Sequence, residues 1–205
     1  MRVIGLTGSI GMGKSTTAGM LRRLGVPLHD ADAVVHRLTG PGGRAVTAIA
    51  ARFPGVIDAT GAVDRKVLGA RVFGDGAALK DLERILHPLV HDEERKFMQR
   101  NRRARKSVVA IDIPLLFETR GENRCDAIWV ASAAPAIQSQ RVLRRPGMTR
   151  ARLDAIRARQ TPDPVKRKRA DVVIPTGLGR RVAWNAVIRG LARLKQTKNS
   201  EKRDA

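Results

Sequence analysis

The octet Gly8-Ser9-Ile10-Gly11-Met12-Gly13-Lys14-Ser15 constrains this chain more than any other stretch. It fills every fixed position of G-x-x-x-x-G-K-[ST], directly behind the apolar run Val3–Leu6 and ahead of a helical pattern from Lys14 to Leu24 that stops at Gly25. A strand, a glycine-rich turn and a helix in that order make a loop whose N–H groups point inward at the positive end of the helix, a nest for phosphate oxygens. Gly8, Gly11, Met12, Gly13, Lys14, Ser15 and Thr16 are therefore the expected phosphate-side residues. In that arrangement Lys14 reaches the β- and γ-phosphates and the Ser15 hydroxyl ligates Mg2+.

Such a loop requires a parallel sheet around it, and the rest of the chain has the pattern of one. Short β-branched runs at Val3–Leu6, Val26–His29, Val108–Ile113, Ile128–Val130 and Val172–Ile174 alternate with helical periods. The helical stretches are Lys14–Leu24, Ala45–Ala51, Arg65–Val72, Ala77–Asn101, Pro135–Leu143, Arg150–Arg159 and Ala183–Leu194. This alternation predicts an α/β, three-layer fold of the P-loop NTPase type with a five-stranded parallel sheet. A chain of 205 residues fits one main domain, here 1–194, and Gly40-Pro41-Gly42-Gly43 reads as a turn within it. The stretch 195–205 is charged and poor in apolar residues, and reads as a basic, disordered tail.

Charge and cysteine content narrow the setting. The net charge of +21, from 40 Lys+Arg against 19 Asp+Glu, favours anionic partners. The single Cys125 excludes an internal disulfide, the N-terminus has no signal-peptide layout, and no apolar run reaches the roughly 18 residues of a membrane span. These features predict a soluble, cytoplasmic protein with no membrane partner. The sequence carries no signal for oligomeric state.

A phosphate cradle is common to kinases, GTPases and motor ATPases, so the acceptor side has to discriminate. The second strand ends in His29-Asp30-Ala31-Asp32, and the carboxyl ends of parallel strands border the ligand crevice. An acid there suits proton abstraction from a hydroxyl or metal binding through water, whereas either Asp30 or Asp32 could instead cap a helix beginning near Ala33. The third strand ends in Asp112, which suits a metal-fixing carboxylate, although water and Ser15 alone could serve the ion. Beyond it, Leu115, Leu116 and Phe117 read either as core or as an apolar wall for the acceptor. An arginine-rich stretch from Arg141 to Arg159 reads as a mobile lid over a triphosphate, with Arg150, Arg152 and Arg157 on a solvated face.

In combination, GSIGMGKST, DADAVVHRL, LHPLV and IPLLFE, followed by ADVVIPTG, resemble the dephospho-CoA kinases from about Val3 to Gly177. The resemblance implies ATP as phosphoryl donor with Mg2+, and dephospho-CoA, phosphorylated at its ribose 3′-hydroxyl, as the small-molecule partner. It also implies Asp32 as catalytic base, with Lys14 and Arg141 acting on the transferring phosphoryl group, and Arg145 and Gly177 on the nucleotide side. Arg37, His87, Leu115, Leu116, Phe117 and Glu118 would line the acceptor side, within or beside a helical subdomain over about 33–107, with the lid at about 137–160. His87 outside this context would be a structural histidine ahead of Pro88. Pro175-Thr176 departs from the Asp-Asn of many members and leaves open the contact near the adenine. A kinase for another hydroxylated acceptor is the nearest rival. A nucleic-acid-dependent NTPase is the rival suggested by +21; nucleic-acid binding is nevertheless not expected, because 3% aromatic residues and no Tyr leave few stacking platforms.

Overall fold

The computed structural model describes the backbone of residues 1–201 and the side chains of residues 1–196. Five strands, β1 (Arg2–Thr7), β2 (Leu28–Asp30), β3 (Val108–Asp112), β4 (Ala127–Ser132) and β5 (Val172–Pro175), form one parallel sheet in the order β2-β3-β1-β4-β5. The register runs from Arg2↔Val108 to Leu6↔Asp112 on one side of β1 and from Ile4↔Ala127 to Thr7↔Val130 on the other. β1 is thus central, with β3 on one side and β4 on the other. Chain order reverses at its carboxyl end, where open parallel sheets place ligands.

The strands are apolar because helices cover both faces of the sheet. Every residue of β3 is buried, as is all of β1 after Arg2. Ile4 and Leu6, Val108 and Ala110, and Trp129 point to a single cluster with Leu21 of α1 (Lys14–Arg23) and Val187 of the closing helix, Arg180–Glu201. Trp129 comes so near Gly190 of that helix that a Cβ there would lie 2.7 Å from the ring, which explains a helix-weakening residue in mid-helix.

The chain divides into two compact units, Met1–His29 with Ala104–Ala205, and Asp30–Arg103. The second unit is helical: α2 (Ala31–Thr39), α3 (Val46–Arg52), α4 (Arg65–Val72) and α5 (Gly76–Arg103) enclose their own core of Val34, Leu38, Ile49, Phe53, Val56 and Leu68. Asp64 caps α4 by accepting from the Lys66 and Val67 N–H groups at 2.8 and 3.0 Å. The Gly40–Gly43 turn joins α2 to α3 inside this unit, and a Cβ at Gly43 would meet the Leu38 carbonyl oxygen at 2.2 Å. In the first unit α6 (Pro135–Leu143), α7 (Arg150–Ala158) and α8 (Asp163–Lys168) follow β4, and α9 (Arg180–Glu201) closes the chain.

The five strands and the long periodic helices stand where the residue pattern puts them. Elsewhere the elements differ: α2, expected only as a helix beginning near Ala33, runs from Ala31 to Thr39, α8 spans six residues, too short to show a period, and α9 continues through 195–201, where a disordered tail was expected. The tail's final residues, 202–205, lie outside the described residues.

Candidate active site

The loop between β1 and α1 turns through Gly11 and Gly13, at φ of 74° and 87°, a region that side chains disfavour. A Cβ on Gly13 would also lie 2.8 Å from the Thr176 Oγ1. Three consecutive loop carbonyls are turned outward onto donors from elsewhere in the unit. The Ile10 oxygen accepts from Gln138 Nε2 at 2.8 Å, the Gly11 oxygen from Arg141 Nη1 at 3.4 Å, and the Met12 oxygen from Thr176 Oγ1 at 2.6 Å. Two of the loop's amides are also taken, the Ile10 N–H by Gln160 Oε1 at 3.1 Å and the Met12 N–H by the Ser9 carbonyl at 3.1 Å. No side chain caps α1, so its first-turn N–H groups are the orphan donors that a phosphate satisfies.

Lys14 and Asp112 meet beneath this nest. Lys14 Nζ donates to Asp112 Oδ1 at 2.5 Å, and the two side chains are 17% and 5% exposed. Ser15 and Thr16 are exposed at the start of α1. A cleft of about 610 Å3, within the size range of small-molecule sites, borders the loop at Ser9 and Met12 and runs past Gln160 to Gly177. On the other flank, Ser15 and Thr16 open onto a second groove of about 420 Å3 with Arg23, Arg180, Arg181 and Trp184.

The arginine-rich stretch divides differently from the sequence reading. Arg141 is half-buried and fixed by Thr176, donating to its carbonyl at 2.7 Å and its hydroxyl at 3.1 Å. Arg145, Arg150 and Arg152 are exposed. Arg157, expected on a solvated face, instead donates to Gln138 Oε1 at 3.0 and 2.7 Å and to Ser139 Oγ at 2.9 Å. The correction has a simple cause: α7 folds back beside α6, which periodicity within α7 does not reveal.

The PLLFE segment also divides. Leu116 and Phe117 are buried, with the Arg169 guanidinium over the Phe117 ring at 4.5 Å, and Leu115 is 42% exposed. Glu118 is committed to the protein: Oε1 accepts from the Thr161 N–H at 2.7 Å and pairs with Lys166 at 3.0 Å, a lysine with no exposed side-chain surface. Burial pushes the Glu118 carboxyl up, but the Thr161 N–H and the Lys166 ammonium outweigh it and hold the group below its usual 4.5. A depressed carboxylate stabilises the fold above its unfolded value, and that contribution is lost as pH falls below about 4.5. Glu118→Ala should therefore cost about 3 kcal/mol by stranding the Lys166 charge, and Glu118→Gln should flatten the acid limb of stability against pH. Thermal melts from pH 7 to 3 check both; unchanged melts would return Glu118 to the acceptor side alone.

The remaining predicted residues belong to the helical unit. Asp30, at the end of β2, is the N-cap of α2, accepting from the Ala33 N–H at 3.0 Å. Asp32 is exposed in the first helical turn, so capping does not occupy it. Arg37 Nη2 donates to Glu93 Oε2 at 2.7 Å, and His87 is exposed on α5, with its ring centroid 6.5 Å from that of His91.

Comparison with known proteins decides the family. The dephospho-CoA kinase family matches residues 2–178. The chain belongs to the dephospho-CoA kinase family. A dephospho-CoA kinase of Paramagnetospirillum magneticum is 67% identical over 167 residues, covering 82% of this chain and 78% of its own. One from Rhodospirillum rubrum is 61% identical, covering 90% and 88%. A Thermus thermophilus protein of known structure superposes with a TM-score of 0.80 at 33% identity, covering 94% of this chain and 96% of its own. The dephospho-CoA kinase of Campylobacter jejuni shares the fold, with a TM-score of 0.65 at 22% identity.

Within this family member, Thr176, directly after β5, ties both Met12 and Arg141 to the strand end. Gln138, Gln160 and Lys166 were not legible as site residues. Gln138 had one signal, standing three positions before Arg141 on α6 and so on the same helix face. Among the described residues no helix is long and apolar enough to cross a membrane.

Proposed function

We propose that this kinase transfers the γ-phosphoryl group of ATP to the ribose 3′-hydroxyl of dephospho-CoA, giving coenzyme A and ADP, the last step of coenzyme A biosynthesis. The observation that carries the reading is the anchored loop with Lys14 and Asp112 beneath it, in a chain that matches the family throughout that site. The donor's β- and γ-phosphates accept from the loop and first-turn N–H groups, and Lys14 moves from Asp112 toward their oxygens as they enter. The residues present suit Mg2+: the exposed Ser15 hydroxyl and the buried Asp112 carboxylate are hard oxygen donors, and this ion takes its other ligands from water and phosphate. Bound there, the ion would neutralise charge on the phosphates.

On the acceptor side Asp32 takes the proton of the attacking hydroxyl, a role supported by its exposure and by Asp30 doing the capping. Arg37, His87 and Leu115 bind the acceptor. Arg141, anchored by Thr176 and bonded to the Gly11 carbonyl of the loop, stabilises the charge on the moving group, and Arg145 and Gly177 act on the nucleotide side.

Initial rates of ADP release with dephospho-CoA, adenosine and AMP as acceptors, followed by NMR location of the new phosphate, test the proposal. Turnover should be confined to dephospho-CoA and the phosphate should appear on the 3′-oxygen; faster turnover of another acceptor overturns it. Arg141→Ala should lower kcat by about 10²-fold and also weaken ATP binding, because the same side chain holds the Gly11 carbonyl. Arg141→Lys should not restore either, since a single ammonium cannot span the Thr176 carbonyl and hydroxyl together. Full activity in Arg141→Lys would reduce its role to charge alone.

A further inference from the structure

Ile10 sits at the crest of the phosphate-binding loop, and both of its backbone groups are held by side chains from the α6–α8 segment. Its N–H donates to Gln160 Oε1 at 3.1 Å, and its carbonyl accepts from Gln138 Nε2 at 2.8 Å. Gln138 is 4% exposed, and its own oxygen accepts twice from Arg157, which leaves the amide nitrogen facing Ile10. Gln160 is placed by its neighbour, since the next N–H, that of Thr161, is bound by Glu118.

We infer that Gln138 and Gln160 are positioning residues that set the Ile10 backbone, so that donor affinity depends on the α6–α8 segment being seated on the loop. The inference rests on the reading of this loop as the ATP phosphate site. The physical reason is pre-organisation: a residue with both N–H and C=O fixed cannot rotate its flanking peptides, and the nest amides that follow it are held ready before the phosphates arrive. Without the clamp, part of the binding energy goes to ordering the loop.

The two glutamines are used differently, and this makes the inference testable. Gln160 acts as an acceptor, which glutamate preserves. Gln138 donates to Ile10 while accepting from Arg157, so glutamate at that position keeps the Arg157 pair and sets a carboxylate oxygen against the Ile10 carbonyl. The experiment measures ATP Kd by calorimetry without acceptor, KM for ATP and kcat, Tm, and hydrogen exchange of the Ile10 amide in the nucleotide-free protein. Gln138→Glu and Gln160→Leu should each raise ATP Kd about five- to tenfold, with KM for ATP moving in parallel and kcat changing less than twofold. The Ile10 amide should lose protection in Gln160→Leu and keep it in Gln160→Glu. Unchanged ATP Kd in both variants, or a lower Tm with wild-type Kd in the folded fraction, would reduce the glutamines to packing and overturn the inference. Wild-type protein that binds ATP but does not phosphorylate dephospho-CoA would overturn the proposed acceptor and leave this inference standing, because it is read on nucleotide alone.

Discussion

Asp32→Asn should lower kcat by about 10²–10⁴ while melting and ATP affinity stay near those of the wild type. The contrast depends on a division of labour that the structure makes visible. Asp30 accepts from the Ala33 N–H and carries the capping of α2, so Asp32 contributes to the helix through its charge in the first turn. Loss of that charge costs about 0.5 kcal/mol at an exposed site. Asn is nearly isosteric and still polar, but it has no lone pair basic enough to take a hydroxyl proton. Asp30→Ala provides the opposite signature, a stability loss of about 1 kcal/mol with kcat of the folded enzyme retained. Measuring Tm, ATP affinity and single-turnover rate on both variants separates cap from base. A normal single-turnover rate in Asp32→Asn would remove Asp32 from the chemistry.

Lys14→Ala should lower kcat by about 10³-fold and, unlike a change at an exposed lysine, should also lower the Tm. The catalytic loss follows from removing the cation that meets the donor's β- and γ-phosphates, a pre-organised charge of the kind typically worth 10²–10³ or more in rate. The stability loss follows from Asp112, which is 5% exposed and loses its ammonium partner at 2.5 Å. The two effects are separable. In the double variant Lys14→Ala/Asp112→Asn the buried carboxylate is gone, so Tm should recover most of the loss while activity stays low. Recovery of activity along with Tm would mean that Lys14 serves the fold and not the phosphates.

The loop and its strand were legible because the constraint is local. Gly11 and Gly13 need positive φ within a few residues of Lys14, and a pattern of that kind is written in consecutive positions. The five strands were legible for a related reason: a sheet covered on both faces makes continuous apolar runs such as Val108–Ile111, which announce themselves without partners. Most of the helices showed their period, α3 with seven residues among them, whereas α8, with six, completes fewer than two turns and has no period to show.

What the sequence alone determined, then, is the set of elements, the phosphate chemistry of the loop and the family that carries it. Which polar side chain serves which neighbour was decided by tertiary structure. Asp30 and Asp32 are interchangeable as caps on paper, and it is the start of α2 at Ala31 that makes Asp30 the cap and leaves Asp32 inside the first turn. Glu118 reads as part of an acceptor wall until Lys166 and the Thr161 N–H arrive from 40-odd residues away and claim its carboxylate. Arg157 reads as solvated until α7 lies back along α6 and presents it to Gln138. Hydrogen bonds act over about 3 Å with strict direction, so their partners are set by how elements pack, and packing brings together residues that no spacing along the chain relates.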